Sequence, residues 1–166
     1  MQGRLENLLG ALVTAVGDDL GEATEAAAGH GASAPAALTS LLRRPGQSIE
    51  ALRARLDLSH SATVRLVDRL VADGLAARRP AEDARSVAVS LTAKGRRRAL
   101  RVHQRRRGVL ARAVAGLSAA DARDLEQLLD RLLRTQALLH EDPRSICRLC
   151  EVQVCPLRRC PVPGAR

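Results

Sequence analysis

SIEALRARLDLSHSATVRLVDRLVADGLAARRPAEDARSVAVSLT, residues 48–92, decides how the rest of the chain must be read. Ser48 can cap a helix whose positive first turn holds Glu50, and Leu52 and Leu56 give that helix an inward face. Asp57-Leu58 makes a tight turn. Ser59 then caps a second helix with Val64, Val67, Leu70 and Val71 on one face, and Asp73-Gly74 ends it because glycine takes the left-handed conformation after a helix. Leu75 to Arg79 is short and extended, and Pro80 to Arg85 is a charged tip. Val87, Val89 and Leu91 alternate with Ser86, Ala88 and Ser90, the period of a half-buried strand.

Helix, turn, helix and a two-stranded wing are the parts of a winged helix-turn-helix, whose second helix enters the major groove of DNA. Working outward, residues 4–28 form a long first helix with Leu5, Leu8, Leu9, Leu12, Val13, Val16 and Leu20 at helical spacing. Gly29-His30-Gly31 breaks it, and Ser33 with Pro35 starts a short second helix. Thr92 can cap a long fifth helix running to about Ala115. Ser118 caps a sixth, where Leu125, Leu128, Leu129, Leu132 and Leu133 make a stripe ending before Asp142-Pro143. The expected fold is mostly α with a small β-wing. It divides into an N-terminal dimerisation helix (1–31), the winged helix-turn-helix (32–92), C-terminal dimerisation helices (93–140) and a four-cysteine tail (141–166). The stripes on the first and sixth helices exceed what one thin helical layer can cover, so they call for a partner copy.

Charge agrees with this reading. The chain of 166 residues carries a net +9. Between Arg43 and Arg107 there are 17 basic and 6 acidic residues, leaving 10 basic and 12 acidic elsewhere. A merely solvated, arginine-rich surface would not segregate charge in this way, whereas a phosphate-binding surface would. Phe, Tyr and Trp are absent, which disfavours binding of single strands or RNA by base stacking. No run of 18 apolar residues could span a membrane, and no secretory signal opens the chain, so a cytoplasmic location is expected.

At the start of the reading helix, Ser59, His60, Ser61, Thr63 and Arg65 are the candidates for base or phosphate contact. Arg65 is the best base reader, since a guanidinium pairs bidentately with guanine. Arg69, one turn on, suits the backbone. Arg78, Arg79 and Arg85 flank the wing, where one arginine can enter a narrow minor groove, and Asp83 can hold Arg85 extended. Leu58 to Arg79, LSHSATVRLVDRLVADGLAARR, followed by Glu82 to Gly95, EDARSVAVSLTAKG, resembles the MarR family of bacterial transcriptional regulators. That resemblance covers residues 1 to about 140. It implies a homodimer interlocked through the first, fifth and sixth helices. It also implies a palindromic double-stranded DNA site, repression, and release by a small-molecule effector or by cysteine oxidation. Family effector pockets often use aromatic residues, and this chain has none.

The tail carries Cys147, Cys150, Cys155 and Cys160 in the spacing C-x2-C-x4-C-x4-C. This is the frame of a zinc knuckle with Cys155 where histidine would stand. Four thiolates suit tetrahedral zinc; an iron–sulfur cluster takes the same ligands and is often followed by proline, as at Pro161. Paired thiols acting as a redox switch are the metal-free alternative. Val154 replaces the knuckle's usual glycine, so a structural or sensing role is expected rather than RNA binding. A non-regulatory architectural or RNA-binding protein is the competing reading of the whole chain. No constellation for enzymatic catalysis is present, Cys147-Arg-Leu-Cys150 thiol exchange excepted.

Overall fold

The computed structural model describes residues 2–80, 87–151, 153–155 and 160–162. Among these residues six α-helices and a small sheet follow in the order α1 (Gln2–Ala28), α2 (Ala34–Arg43), β1 (Gln47–Ser48), α3 (Ile49–Leu56), α4 (His60–Ala72), β2 (Ala76–Pro80), β3 (Val87–Leu91), α5 (Ala93–Val114) and α6 (Ala119–Leu139). The fold is therefore mostly helical with a three-stranded antiparallel sheet, ordered β1-β3-β2. Among the described residues no helix is long and apolar enough to cross a membrane.

Local chemistry sets the element boundaries. Ser48, Ser59, Thr92 and Ser118 each accept the backbone N–H three residues on, satisfying a donor that the helix start leaves unpaired. At Ser118 the bond is reciprocal, because Asp121 reaches back to the Ser118 N–H. Ser33 differs: its side chain makes no capping bond, and Pro35 alone marks the start of α2. Asp57, at φ 53°, takes the left-handed conformation of the turn between α3 and α4, and Gly74 at φ 66° does so after α4. β2 begins one residue later than the wing pattern suggests, since the Leu75 N–H closes the end of α4 on the Leu70 carbonyl at 2.8 Å.

One core holds the reading unit together, built around Leu38, Leu41, Leu52, Leu66, Leu70 and Val89. α1 and α2 pack on α5, and the sheet rests mainly on α2 through β3 and on α4 through β2. The buried face of α4 is rotated slightly from the expected one: Thr63, Leu66, Val67 and Leu70 are inside, while Val64 and Val71 sit at its edges. β1, not expected from its two residues, exists because Gln47 and Ser48 pair with Val89 and Ala88 of β3. The Gln47 amide also donates to the Ser40 and Arg44 carbonyls, fastening that edge to α2.

α6 stands apart. Ala137 is its sole buried residue among those described, and Leu128, Leu129 and Leu132 remain about half exposed. The first half of α1 is equally bare, with Leu5 68% and Val13 63% exposed. Monomeric proteins rarely expose apolar stripes of this length.

Candidate functional site

Ser61, Arg65 and Arg69 follow one another at helical spacing along the exposed side of α4, opposite the face that packs on the core. Ser59 stands at its N-terminus, where Oγ accepts from Ala62 N–H at 3.2 Å and lies 3.3 Å from Ser61 Oγ. His60 is exposed at the first position, its Nδ1 4.0 Å from Glu50 of α3. Glu50 is in turn held by Arg53 at 2.7 Å, and that hydrogen bond lowers its carboxyl pKa. Two polar rows, one from each helix of the motif, therefore meet at the helix start that would face a DNA groove.

Thr63 does not belong to that surface. It is fully buried, and its hydroxyl donates to the Ser59 carbonyl at 3.0 Å, so it braces the first turn from within and cannot reach a base. Arg78 departs from expectation in another way. Its guanidinium reaches back to Asp68 on α4 at 2.6 Å, tying the base of the wing to the reading helix. Sequence reasoning missed Asp68; its spacing of three from Arg65 on an exposed face was the available signal. Arg79 is exposed at the end of β2. Asp83 and Arg85 lie outside the described residues. Lys94, at the start of α5, donates to the Asp73 carbonyl at 2.8 Å, and His30 pairs with Asp73 at 2.6 Å, so the far end of α4 is also secured.

The four cysteines come together at the other end of the chain. None is in a disulfide. Cys147 Sγ and Cys160 Sγ are 3.9 Å apart, close to the sulfur separation of about 3.8 Å that tetrahedral zinc at about 2.3 Å per bond requires. Cys147 also interacts with Cys150, and Cys155 with Cys160. The thiols thus form a chain, 150 to 147 to 160 to 155, and among the described residues no three metal-binding side chains converge on one point. The hydrogen bond with Cys147, and then Arg106 and Arg43 nearby, lower the Cys150 pKa to about 6. That same bond, with burial, pushes the Cys147 thiol up. Burial raises Cys155. His140, a conceivable substitute ligand, instead places Nδ1 2.9 Å from the Gln136 carbonyl at the end of α6.

Tail residues also touch the body. Ile146, Cys150 and Cys160 pack around Ala137, Cys147 and Val162, while Leu149 packs on the main core. Glu151 lies 3.5 Å from Arg107 of α5, an ion pair too long for a hydrogen bond, and its Oε2 is buried without another partner among the described residues. Beside it, His103 is buried, which lowers its pKa, with Arg106 and Arg107 adding to that shift.

The MarR family sequence profile matches residues 32–86. Solved structures extend the likeness over most of the chain. The MarR family protein of Bacillus stearothermophilus superposes with a TM-score of 0.71 at 26% identity, over 81% of this chain and 94% of that one. Mycobacterium tuberculosis Rv2887, a MarR family protein, matches in its complex with DNA (TM-score 0.63, 25% identity, 77% of this chain and 96% of that one). In its complex with salicylic acid the TM-score is 0.54 at 31% identity, over 75% of this chain and 95% of that one. No curated protein sequence matches the chain.

Proposed function

This chain belongs to the MarR family, and we propose that it is a homodimeric repressor reading a palindromic operator through α4 of each protomer. The observation that carries the proposal is the exposed row Ser61, Arg65 and Arg69 on a helix capped at its DNA-facing end and anchored by the core behind it. In this reading Arg65 reads a guanine and Arg69 and Arg79 hold phosphates, while the Arg78–Asp68 pair sets the wing against the reading helix. Rv2887, solved on DNA, supports the mode of binding. The bare stripes of α1 and α6 support the dimer, since a second copy covers both at once. Two reading helices related by a two-fold axis favour a two-fold symmetric site. A bound dimer that blocks a promoter is the simplest form of control, hence repression.

A small effector is part of the same proposal. Rv2887 was solved with salicylic acid. Here a cavity of about 440 Å³ between α1 and α5 is lined by Arg101 and Arg105 beside Asp19 and Glu22. Its guanidinium groups suit a carboxylate, held by charge without ring stacking.

The four tail thiols are assigned to a metal ion, zinc before an iron–sulfur cluster. The tail's own cluster is small, Ala137, Cys147 and Val162 being its buried members, and a structural zinc would add folding energy there. Arg43 and Arg106, close to Cys150, would offset the charge of the thiolates.

The decisive experiment selects duplexes from a randomised pool with purified protein and footprints the winners. A two-fold symmetric sequence bound by a dimer is the expected result. Equal affinity for every duplex would instead establish a non-specific architectural binder.

A further inference from the structure

The tail does more than follow α6. After α6 ends, Asp142 accepts the Arg144 N–H at 2.9 Å and grips its guanidinium at 2.6–3.0 Å, shaping a short turn over Pro143–Ser145. That turn lies against α3, the first helix of the DNA-reading motif. Arg55, buried at the end of α3, faces Asp142 and Arg144 across this contact. Further on, Leu149, partly buried, packs against the main core and Glu151 meets Arg107 on α5. The same segment buries Ala137, the one residue of α6 that is inside. Among the described residues α6 has no extensive contact of its own with any other helix.

We infer that the tail is a strap that fixes the dimer helix α6 to α3 of the reading unit, and that a zinc ion on its four cysteines holds the strap closed. This rests on the metal assignment proposed above. The physical argument is one of constraint. α6 is joined to α5 only through the short link at Ala115–Ser118, so by itself it can pivot there. Closing the strap removes that freedom at the opposite end of α6, at Ala137. In a dimer built on α1 and α6, the pivot angle sets the spacing of the two α4 helices. A palindrome demands one spacing, whereas non-specific phosphate binding does not. Metal binding therefore stabilises the DNA-competent geometry, and metal loss disperses it.

The test uses the full-length protein and a duplex selected by its zinc-loaded form. Zinc is measured per chain, DNA affinity is measured with and without a chelator, and amide exchange is followed on α3 and α6. The strap predicts one zinc per chain, about tenfold weaker binding after chelation, unchanged affinity for a random duplex, and faster exchange at α3 and at the end of α6. A variant that keeps all four thiols, D142A with L149D, should retain zinc yet lose the same affinity. Protein that takes up neither zinc nor iron overturns the metal assignment. Zinc bound with full stoichiometry, but with DNA affinity and α3 exchange indifferent to its removal, overturns the strap alone. Thermal unfolding of α1–α5 in each variant guards against mistaking general unfolding for release of the strap.

Discussion

Gly95 is the position where a single added carbon tests the packing of the reading unit. It lies in the first turn of α5, directly over the Leu75 carbonyl that ends the α4–β2 connection. A Cβ built there would stand 2.8 Å from the Leu75 carbonyl carbon, nearer still to its oxygen, and 3.2 Å from Leu91 Cδ2. Carbon contacts settle at about 3.5 Å or more and the carbonyl oxygen is nearer than its carbon, so α5 must retreat by more than about 1 Å or the strand must yield. That movement loosens three bonds at once: Thr92 N–H to the Leu75 carbonyl at 3.0 Å, Thr92 Oγ1 to the Gly74 carbonyl at 2.7 Å and Lys94 Nζ to the Asp73 carbonyl at 2.8 Å. Overpacking costs about 1–3 kcal/mol, and each weakened bond up to about 1 kcal/mol. Alanine returns about 1 kcal/mol through helix propensity. For Gly95→Ala the expected net loss is about 2 kcal/mol, or about 4–8 °C in melting temperature for a chain of this size. Gly108→Ala is the control in the same helix, since its Cβ would meet only Arg112 Nη1 at 3.9 Å; it should melt at or above the parent. Circular dichroism melts of the two variants decide the matter. If Gly95→Ala melts as high as Gly108→Ala, α5 does not seat on Leu75 as described.

Arg65→Ala should weaken binding to the selected duplex by about 1–3 kcal/mol and relax preference at one base pair, with the melting temperature unchanged; a competition titration across single-base variants measures both. Leu8→Asp with Leu129→Asp places charge on faces already exposed in one protomer, so sedimentation should show folded monomers that no longer bind the selected duplex. His103 predicts a pH dependence of stability. Its folded-state pKa is depressed by burial below the 6.5 of the free side chain, so as pH falls the unfolded chain takes the proton first. Stability is therefore full above about pH 7 and declines as pH falls through 6.5 toward the folded value. The melting temperature of the parent should drop more between pH 7.5 and 5.5 than that of His103→Leu; equal slopes would mean that His103 is not buried as a neutral ring.

The elements were legible because their signals are local. Ser48, Ser59, Thr92 and Ser118 announce helix starts by competing for backbone N–H groups, and Gly74 ends α4 because it tolerates a positive φ. The leucine periods of α1 and α6 are equally local. So is the charge segregation around residues 43–107, which needs no coordinates to be counted.

Tertiary structure decided what local pattern leaves open. Thr63 sits among polar residues in the chain and looked like one of them; the rotation of α4 against Leu52 and Val89 placed it inside, where its hydroxyl is satisfied by Ser59. Arg78 was available to DNA until Asp68, on a neighbouring element, came within 2.6 Å. β1 is two residues long and exists only because β3 offers an unpaired edge. The return of the tail to α3 and α5 depends on contacts between residues far apart in the chain, such as Leu149 with the main core. The sequence alone was enough to identify helices, caps, a DNA-binding motif and four cysteines in a ligand-like spacing, since each is a matter of neighbouring residues. Which side chains face the groove, and what the tail leans on, required the packed molecule, because burial and pairing are properties of surfaces that meet only after folding.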